Sequence, residues 1–385
     1  MDTVAEIIPP IRVLHLIGRM DRGGIETWLM NLLRQKRPEW RFDFLVFHQG
    51  AYDREAEELG ARFIRLPFKR PAFKRFQKNY RNILYENNYD VVHYHHREFS
   101  GSIMQIAYER GVPVRIDHSH NSGRTRGRSW VNLVKECYRR FVDEPKIDRY
   151  ATHLLACSRE AGRFSFGKLW TPEYSEKMVY CGIPIHEFEV DRNQSVRKIK
   201  CGEYHIPEDS IVIGSLGRLT YQKNYEFLIG VFSELAQRDN RYVLFIAGEG
   251  ELRTDLEKQV EARGLQNRVF LPGSCSDVPE LTTCLFDVFV LPSHYEGFGI
   301  VFLEAAASGL HSVCSDVITQ DILDRIPECF TPLSLTAPVS SWCDAIEEGI
   351  RKRETPRAGV ERIRKTPFTI ENSVEALLQI YRSNQ

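Results

Sequence analysis

Two carboxylates and two cations stand out by residue type and spacing. Glu296 and Glu304 bracket the stretch Glu-Gly-Phe-Gly-Ile-Val-Phe-Leu-Glu, with the apolar run 287–291 and Pro292-Ser293 ahead of it and Ala305-Ala-Ala-Ser-Gly309 behind. The run has the length of a buried parallel strand and the alanine-rich continuation that of a helix stopped by glycine, so the order is strand, loop, helix. Gly297 and Gly299 let the backbone approach a ligand, and the unpaired N–H groups at a helix start near Ile300 and Val301 favour an anion. Glu296 falls in the loop and Glu304 about one turn into the helix, so the two are expected to touch different parts of one elongated ligand. Upstream, the strand 211–216 runs into Gly217-Arg218-Leu-Thr-Tyr-Gln-Lys223-Asn224. A guanidinium fork and an ammonium point charge placed a few residues apart beside a glycine suit a diphosphate.

Histidines form a second set. His93, His95 and His96 end one predicted strand, 90–94, and His118 and His120 in Asp117-His-Ser-His-Asn121 end the next, 112–117. Ligands of parallel sheets gather at the carboxyl ends of strands. Zinc is disfavoured, because the spacings are not those of a closed metal site and no cysteine lies near, so no metal is expected. Near the start, the strand 11–17 leads through Gly18 to Gly23-Gly24 and a helix at 25–33. These glycines do not fall as G-x-G-x-x-G and no acidic residue closes the next strand, which argues against a nicotinamide cofactor.

Such residues need a scaffold. Further strands are expected at 42–47, 62–66 and 153–157, with helices at 54–59, 76–87, 102–110 and 131–141, and the second half adds strands at 242–247, 269–273 and 313–316. Alternation of this kind predicts parallel sheets covered on both faces. A chain of 385 residues exceeds one ordinary core and implies two domains. Residues 184–189 and the polar stretch 191–200 read as the linker between them. The final helix, 370–381, carries Val374, Leu377, Leu378 and Tyr381 on one side.

The filled pattern E-G-F-G-I-V-F-L-E after Leu-Pro-Ser, together with G-R-L-x-x-x-K-N, resembles the family-4 retaining glycosyltransferases of the GT-B fold. In the first half, GGIETWLMNLL and HSHN resemble exopolysaccharide-biosynthesis members. The resemblance implies an α/β protein of two Rossmann-like parallel-sheet domains facing across a deep cleft. Its acceptor-side domain would be 1–185 plus a C-terminal crossover helix in 366–385, and its nucleotide-sugar-binding domain 186–365. It implies transfer of a hexosyl-type sugar from a nucleoside diphosphate sugar, UDP being the best fit, to a glycan, lipid-linked or small-molecule acceptor. Retention at the anomeric carbon is expected, with the nucleotide sugar as co-substrate and no metal or other cofactor.

Carried over residue by residue, Arg218, Lys223 and the N–H groups near Ile300 and Val301 would neutralise the diphosphate. Glu296 would orient the sugar's hydroxyls or steady the cationic ring, the N–H groups of Phe298 and Gly299 would contact the sugar, Gly297 would belong to the same donor-binding loop, and Glu304 would take the ribose hydroxyls. Gly23 and Gly24 would floor the cleft, and one of His118 and His120, between which spacing does not choose, would face the donor. Cys181 stands where the family usually has Asn, so that detail is not transferred. Two acids at opposite ends of a donor argue against a glycosidase, whose carboxylates face each other across the scissile bond. The alternatives are a non-hydrolysing nucleotide-sugar epimerase and an inactive nucleotide-sugar-binding partner.

Composition narrows the setting. Net charge is zero, yet residues 1–185 hold 31 Lys and Arg against 22 Asp and Glu, and the remainder 21 against 30. Lys69, Arg70, Lys74, Arg75, Lys78 and Arg81 interleave with Phe68, Phe73, Phe76 and Tyr80, and Arg124, Arg126, Arg128 and Trp130 follow. An anionic acceptor or a peripheral contact with an anionic membrane would use such residues, whereas no recognised module accompanies them to read nucleic acid. Nine scattered cysteines without C-x-x-C pairs read as reduced thiols. With no spanning segment and no secretory leader, the expected location is the cytoplasm, with peripheral attachment to the inner membrane face as its variant.

Overall fold

The computed structural model describes residues 9–67, 73–96, 98–120, 137–173, 178–190 and 192–383. Contacts divide the chain into one unit of Met1–Tyr180 with Ser373–Gln385 and a second of Cys181–Asn372. The first unit is built on six parallel strands: β1 (Ile11–Ile17), β2 (Trp40–Val46), β3 (Arg62–Arg65), β4 (Val91–Tyr94), β5 (Val114–Ser119) and β6 (His153–Ala156). Their order is β3-β2-β1-β4-β5-β6. The second holds β7 (Ile211–Leu216), β8 (Tyr242–Ala247), β9 (Val269–Gly273), β10 (Val288–Leu291), β11 (Ser312–Ser315) and β12 (Phe330–Leu333), in the order β12-β11-β10-β7-β8-β9.

Helices on both faces bury the sheets, which explains why β8 and β10 read as unbroken apolar runs and lie wholly buried. In the first unit Leu14, Leu16, Val92, Met104 and the ring of Tyr80 share one core. In the second, Gly214 in β7 has a packing reason: a Cβ there would fall 2.1 Å from the ring of Phe286, so only a bare backbone lets that ring lie against the strand.

Three stretches depart from the expectations. Residues 194–200, assigned to a linker, belong to the helix Gln194–Glu203, whose Arg197 donates to the carbonyls of Leu285 and Ser210 at 2.6 Å and pairs with Asp287. Its polar composition reflects anchoring by charge, which a linker reading mistakes for solvation. The strand β12 and the helices Val339–Arg351 and Pro356–Arg364 were not anticipated. Of the helix expected at 131–141, residues 131–136 lie outside the described residues, and Arg139–Asp143 forms a π-helical turn. Phe68, Lys69, Arg70, Arg124, Arg126, Arg128 and Trp130 also lie outside them.

The last helix, Ile370–Tyr381, joins the first unit from Ser373 onward. Ser373 Oγ donates to the Tyr180 carbonyl at 2.8 Å, and Tyr381, fully buried, places its hydroxyl 2.8 Å from His93 Nδ1.

Candidate active site

In the second unit β10 ends at Leu291 and the chain turns through 292–299 into the helix Ile300–Ala307. Gly299 caps that helix with φ 83°, a left-handed conformation, and a Cβ there would meet the Phe302 ring at 2.7 Å. Both facts require glycine. Gly297, by contrast, is not left-handed. Phe298 is buried, its ring 5.5 Å from that of Phe368 in an edge contact, so its side chain fastens the loop and leaves only its backbone for a ligand.

Two loops are stitched together at this point. Thr220 leads into the short 3-10 turn Tyr221–Lys223, and Asn224, left-handed at φ 56°, starts the helix Tyr225–Arg238. The Gln222 carbonyl accepts from the His294 N–H at 2.8 Å, Gln222 Nε2 donates to the Tyr295 carbonyl at 3.0 Å, and the rings of Tyr221 and His294 stack at 4.2 Å. The stitching delivers Lys223 Nζ to Glu296 Oε1 at 2.7 Å, where Ser293 Oγ also donates at 2.6 Å. Both charged side chains are largely buried, at 13% and 5% exposure. Gly217, with φ 149°, clears the way, since a Cβ would lie 3.0 Å from Lys223 Cε. Arg218 is exposed and makes no ion pair among the described residues. Glu304 is half-buried in the helix Ile300–Ala307, and burial, reinforced by the charge of Glu187, pushes its carboxyl up to about 7. Thus Arg218, Lys223, Glu296–Ile300, Val301 and Glu304 share one unit, and Lys223 and Glu296 are in direct contact.

The first unit holds Gly23, Gly24 and the histidines. Gly23 caps the helix Gly24–Arg34, and a Cβ there would fall 2.4 Å from Glu26 Oε2. The helix carries Trp28 onto His118, ring centroids 5.5 Å apart and edge-on, and to 5.8 Å from His120. Strand alternation puts His93 and His95 on one face of β4 and its end, and His118 and His120 on the same face of β5 and its end. His15 of β1, in register with His93, completes the set. It escaped the sequence reading, although it is the lone ionisable side chain among inward positions of an apolar strand. Burial pulls His15 and His120 down to about 3 and holds His93, His95 and His118 well below the usual range, so the rings are neutral. His118 is buried, while His120 is partly exposed.

Two six-stranded parallel sheets with helices between the strands define a GT-B fold, and in its second unit Lys223 and Glu296 sit beside a glycine-capped helix start. The family profile described as Glycosyl transferases group 1 matches residues 197–321, and that described as Glycosyltransferase Family 4 matches residues 22–184. The chain belongs to these glycosyltransferases. It is 34% identical over 376 residues to the putative glycosyltransferase EpsF of Bacillus subtilis (strain 168), the match covering 96% of each chain. The capsular polysaccharide biosynthesis glycosyltransferase CapH of Staphylococcus aureus is 25% identical over 385 residues, 97% of this chain and 99% of CapH. The crystal structure of Anabaena Alr3699/HepE in complex with UDP-glucose matches with a TM-score of 0.77 at 18% identity, covering 97% of this chain and all of that one.

Proposed function

We propose that the chain transfers a hexosyl group from a UDP-sugar to a glycan, lipid-linked or small-molecule acceptor during polysaccharide assembly, with retention at the anomeric carbon and without a metal on the diphosphate. The observation that carries this reading is the Lys223–Glu296 contact on the loop that opens the helix Ile300–Ala307. In such a transfer the leaving diphosphate gains negative charge as the glycosidic bond breaks. Lys223, Arg218 and the N–H groups of Ile300 and Val301 supply fixed positive ends for it, each worth about 3 kcal/mol when held in a dry site. Glu296, restrained by Lys223 and Ser293, orients sugar hydroxyls, the backbone of Gly297, Phe298 and Gly299 contacts the sugar, and Glu304 accepts from the ribose hydroxyls. The HepE complexes contain UDP and UDP-glucose, which favours uridine as the base. On the acceptor side Gly23, Gly24 and the partly exposed His120 are the residues assigned, with His118 behind.

A peripheral membrane contact belongs to the same reading. The helix Phe73–Glu86 buries Phe76, Tyr80 and Leu84 and exposes Lys74, Arg75 and Lys78. Phe141, 73% exposed, offers an apolar ring on the same unit. Cations beside an aromatic suit an anionic lipid surface. Among the described residues no helix is long and apolar enough to cross a membrane.

The test is donor screening by calorimetry and melting temperature, followed by NMR of the product's anomeric configuration. UDP-sugars binding in the presence of chelator, with a retained configuration, support the proposal. Inversion, or binding abolished by chelator, overturns the corresponding part.

A further inference from the structure

The histidine face of the first unit has a geometry that sugar transfer does not call for. One ring nitrogen from each of His95, His118 and His120 lies within 4.8 Å of the others. His95 Nδ1 and His120 Nε2 face each other at 3.0 Å, and His118 Nε2 is buried with no hydrogen-bond partner. The remaining nitrogens of the two deepest rings are held from behind: His118 Nδ1 by His93 Nε2 and His95 Nε2 by His15 Nδ1, both at 2.9 Å. Imidazoles that bind metal have their other N–H held in this way, which fixes ring orientation and tautomer. Trp28 packs edge-on against His118 and tilted against His120, restricting both rings further.

We propose that this chain binds one divalent transition ion of the zinc class through His95 Nδ1, His118 Nε2 and His120 Nε2. Three neutral imidazoles at metal–nitrogen distances of about 2.0–2.1 Å stand roughly 3.3 Å apart in a tetrahedral site, so the facing pair need separate by only a few tenths of an ångström. An all-imidazole set suits zinc, copper, nickel or iron and disfavours magnesium and calcium, which take oxygen. The fourth position falls on the side of His120, the one partly exposed ring of the three. One histidine of the pair 93/95 and both of the pair 118/120, on adjacent strands and their ends, make the site. That is why spacing along the chain did not reveal it: the ligands converge through sheet register, and each local pair alone is too short for a closed site. The ion joins the ends of β4 and β5 in the first unit, and the diphosphate departure proposed above is assigned to Arg218 and Lys223 of the second.

The experiment uses the full-length, untagged protein equilibrated with zinc sulfate, dialysed against metal-free buffer and assayed for metal by plasma mass spectrometry, with cobalt(II) chloride as a spectroscopic probe. About one ion per chain, a raised melting temperature and the visible bands of four-coordinate cobalt are expected. His120→Asn, at the most tolerant of the three positions, should weaken zinc at least about 100-fold, whereas His48→Asn and His205→Asn, at exposed positions, should not. Because His118→Asn can unfold the protein, its result counts only with a native circular dichroism spectrum, and the His120 variant carries the test alone otherwise. No retained zinc, retention unchanged by His120→Asn, or nitrogen-15 NMR showing an N–H bridge between His95 and His120 in the zinc-treated protein would each overturn the proposal. None of these readouts depends on transferase activity.

Discussion

Lys223 Nζ lies 2.7 Å from Glu296 Oε1 although seventy-three positions of sequence separate them. The cation assigned to the diphosphate and the acid assigned to the sugar are therefore one electrostatic unit, and neither can be changed without disturbing the other.

That coupling is measurable. Lys223→Ala leaves the carboxylate of Glu296 buried with Ser293 as its remaining named donor, and breaking a buried pair costs about 3–5 kcal/mol. The Lys223→Ala/Glu296→Gln double variant should be less destabilised than the sum of the singles by about 0.5–3 kcal/mol in urea unfolding. Strict additivity would mean that the contact contributes nothing.

For ligand binding the two residues should separate. Lys223→Ala should weaken UDP by about 10–100-fold, the range of a hydrogen bond to a charged group. Glu296→Gln should lower turnover more than it lowers UDP affinity, and equal losses in calorimetry and kinetics would remove its assigned role.

Gly299→Ala tests the loop that opens the helix Ile300–Ala307. At φ 83° and with Phe302 only 2.7 Å from the new methyl, the substitution should cost about 1–3 kcal/mol in thermal unfolding. It should also weaken UDP. A neutral result would show that the helix start relaxes freely.

Glu304 sets a pH dependence whose sign follows from its raised pKa. Burial and the Glu187 charge lift it to about 7, so between its ordinary value near 4.5 and about 7 the folded chain holds a proton that the unfolded chain has released. Its contribution to stability thus declines as pH rises through that window. Glu304→Gln should flatten this decline. If the carboxylate accepts ribose hydroxyls, UDP binding near pH 6.5 should release protons, seen as a dependence of calorimetric heat on buffer ionisation enthalpy. No release would remove Glu304 from the ribose.

Asp287 behaves in the opposite sense. Burial pushes its carboxyl up, but Arg197, the Val212 N–H, Arg353 and Arg192 outweigh that and leave it below the usual carboxylate range. Its stabilisation is present above the unfolded value near 3.8 and lost as pH falls through the lower folded one. Asp287→Ala should therefore destabilise by about 3–5 kcal/mol at pH 7, and by less as pH falls below 3.8 and the carboxyl takes up its proton, in denaturant titrations at pH 7 and at acid pH.

Much of the architecture could be read from the residues because fully covered parallel strands announce themselves as apolar runs: β8 and β9 match the expected bounds, and the loop from Leu291 to Ile300 was visible in its Leu-Pro-Ser and glycine punctuation. The charged helix Gln194–Glu203 was hidden, since its cations mimic those of a solvated linker and its purpose, clamping Asp287 through Arg197, is a contact ninety positions away. Lys223 and Glu296 were each identifiable, but their contact rests on a stitch between two loops that no local pattern encodes. His15 was missed for the same reason: only its register opposite His93 gives it a role.

The return of the final helix has a consequence for how the protein comes into being. Tyr381, which braces His93, leaves the ribosome only after the whole second unit has been made, so the first unit to be synthesised is the last to be completed. Until then the groove reserved for Val374, Leu377 and Tyr381 stays uncovered on the nascent chain, and a fragment ending at Tyr180 would never acquire its own lining.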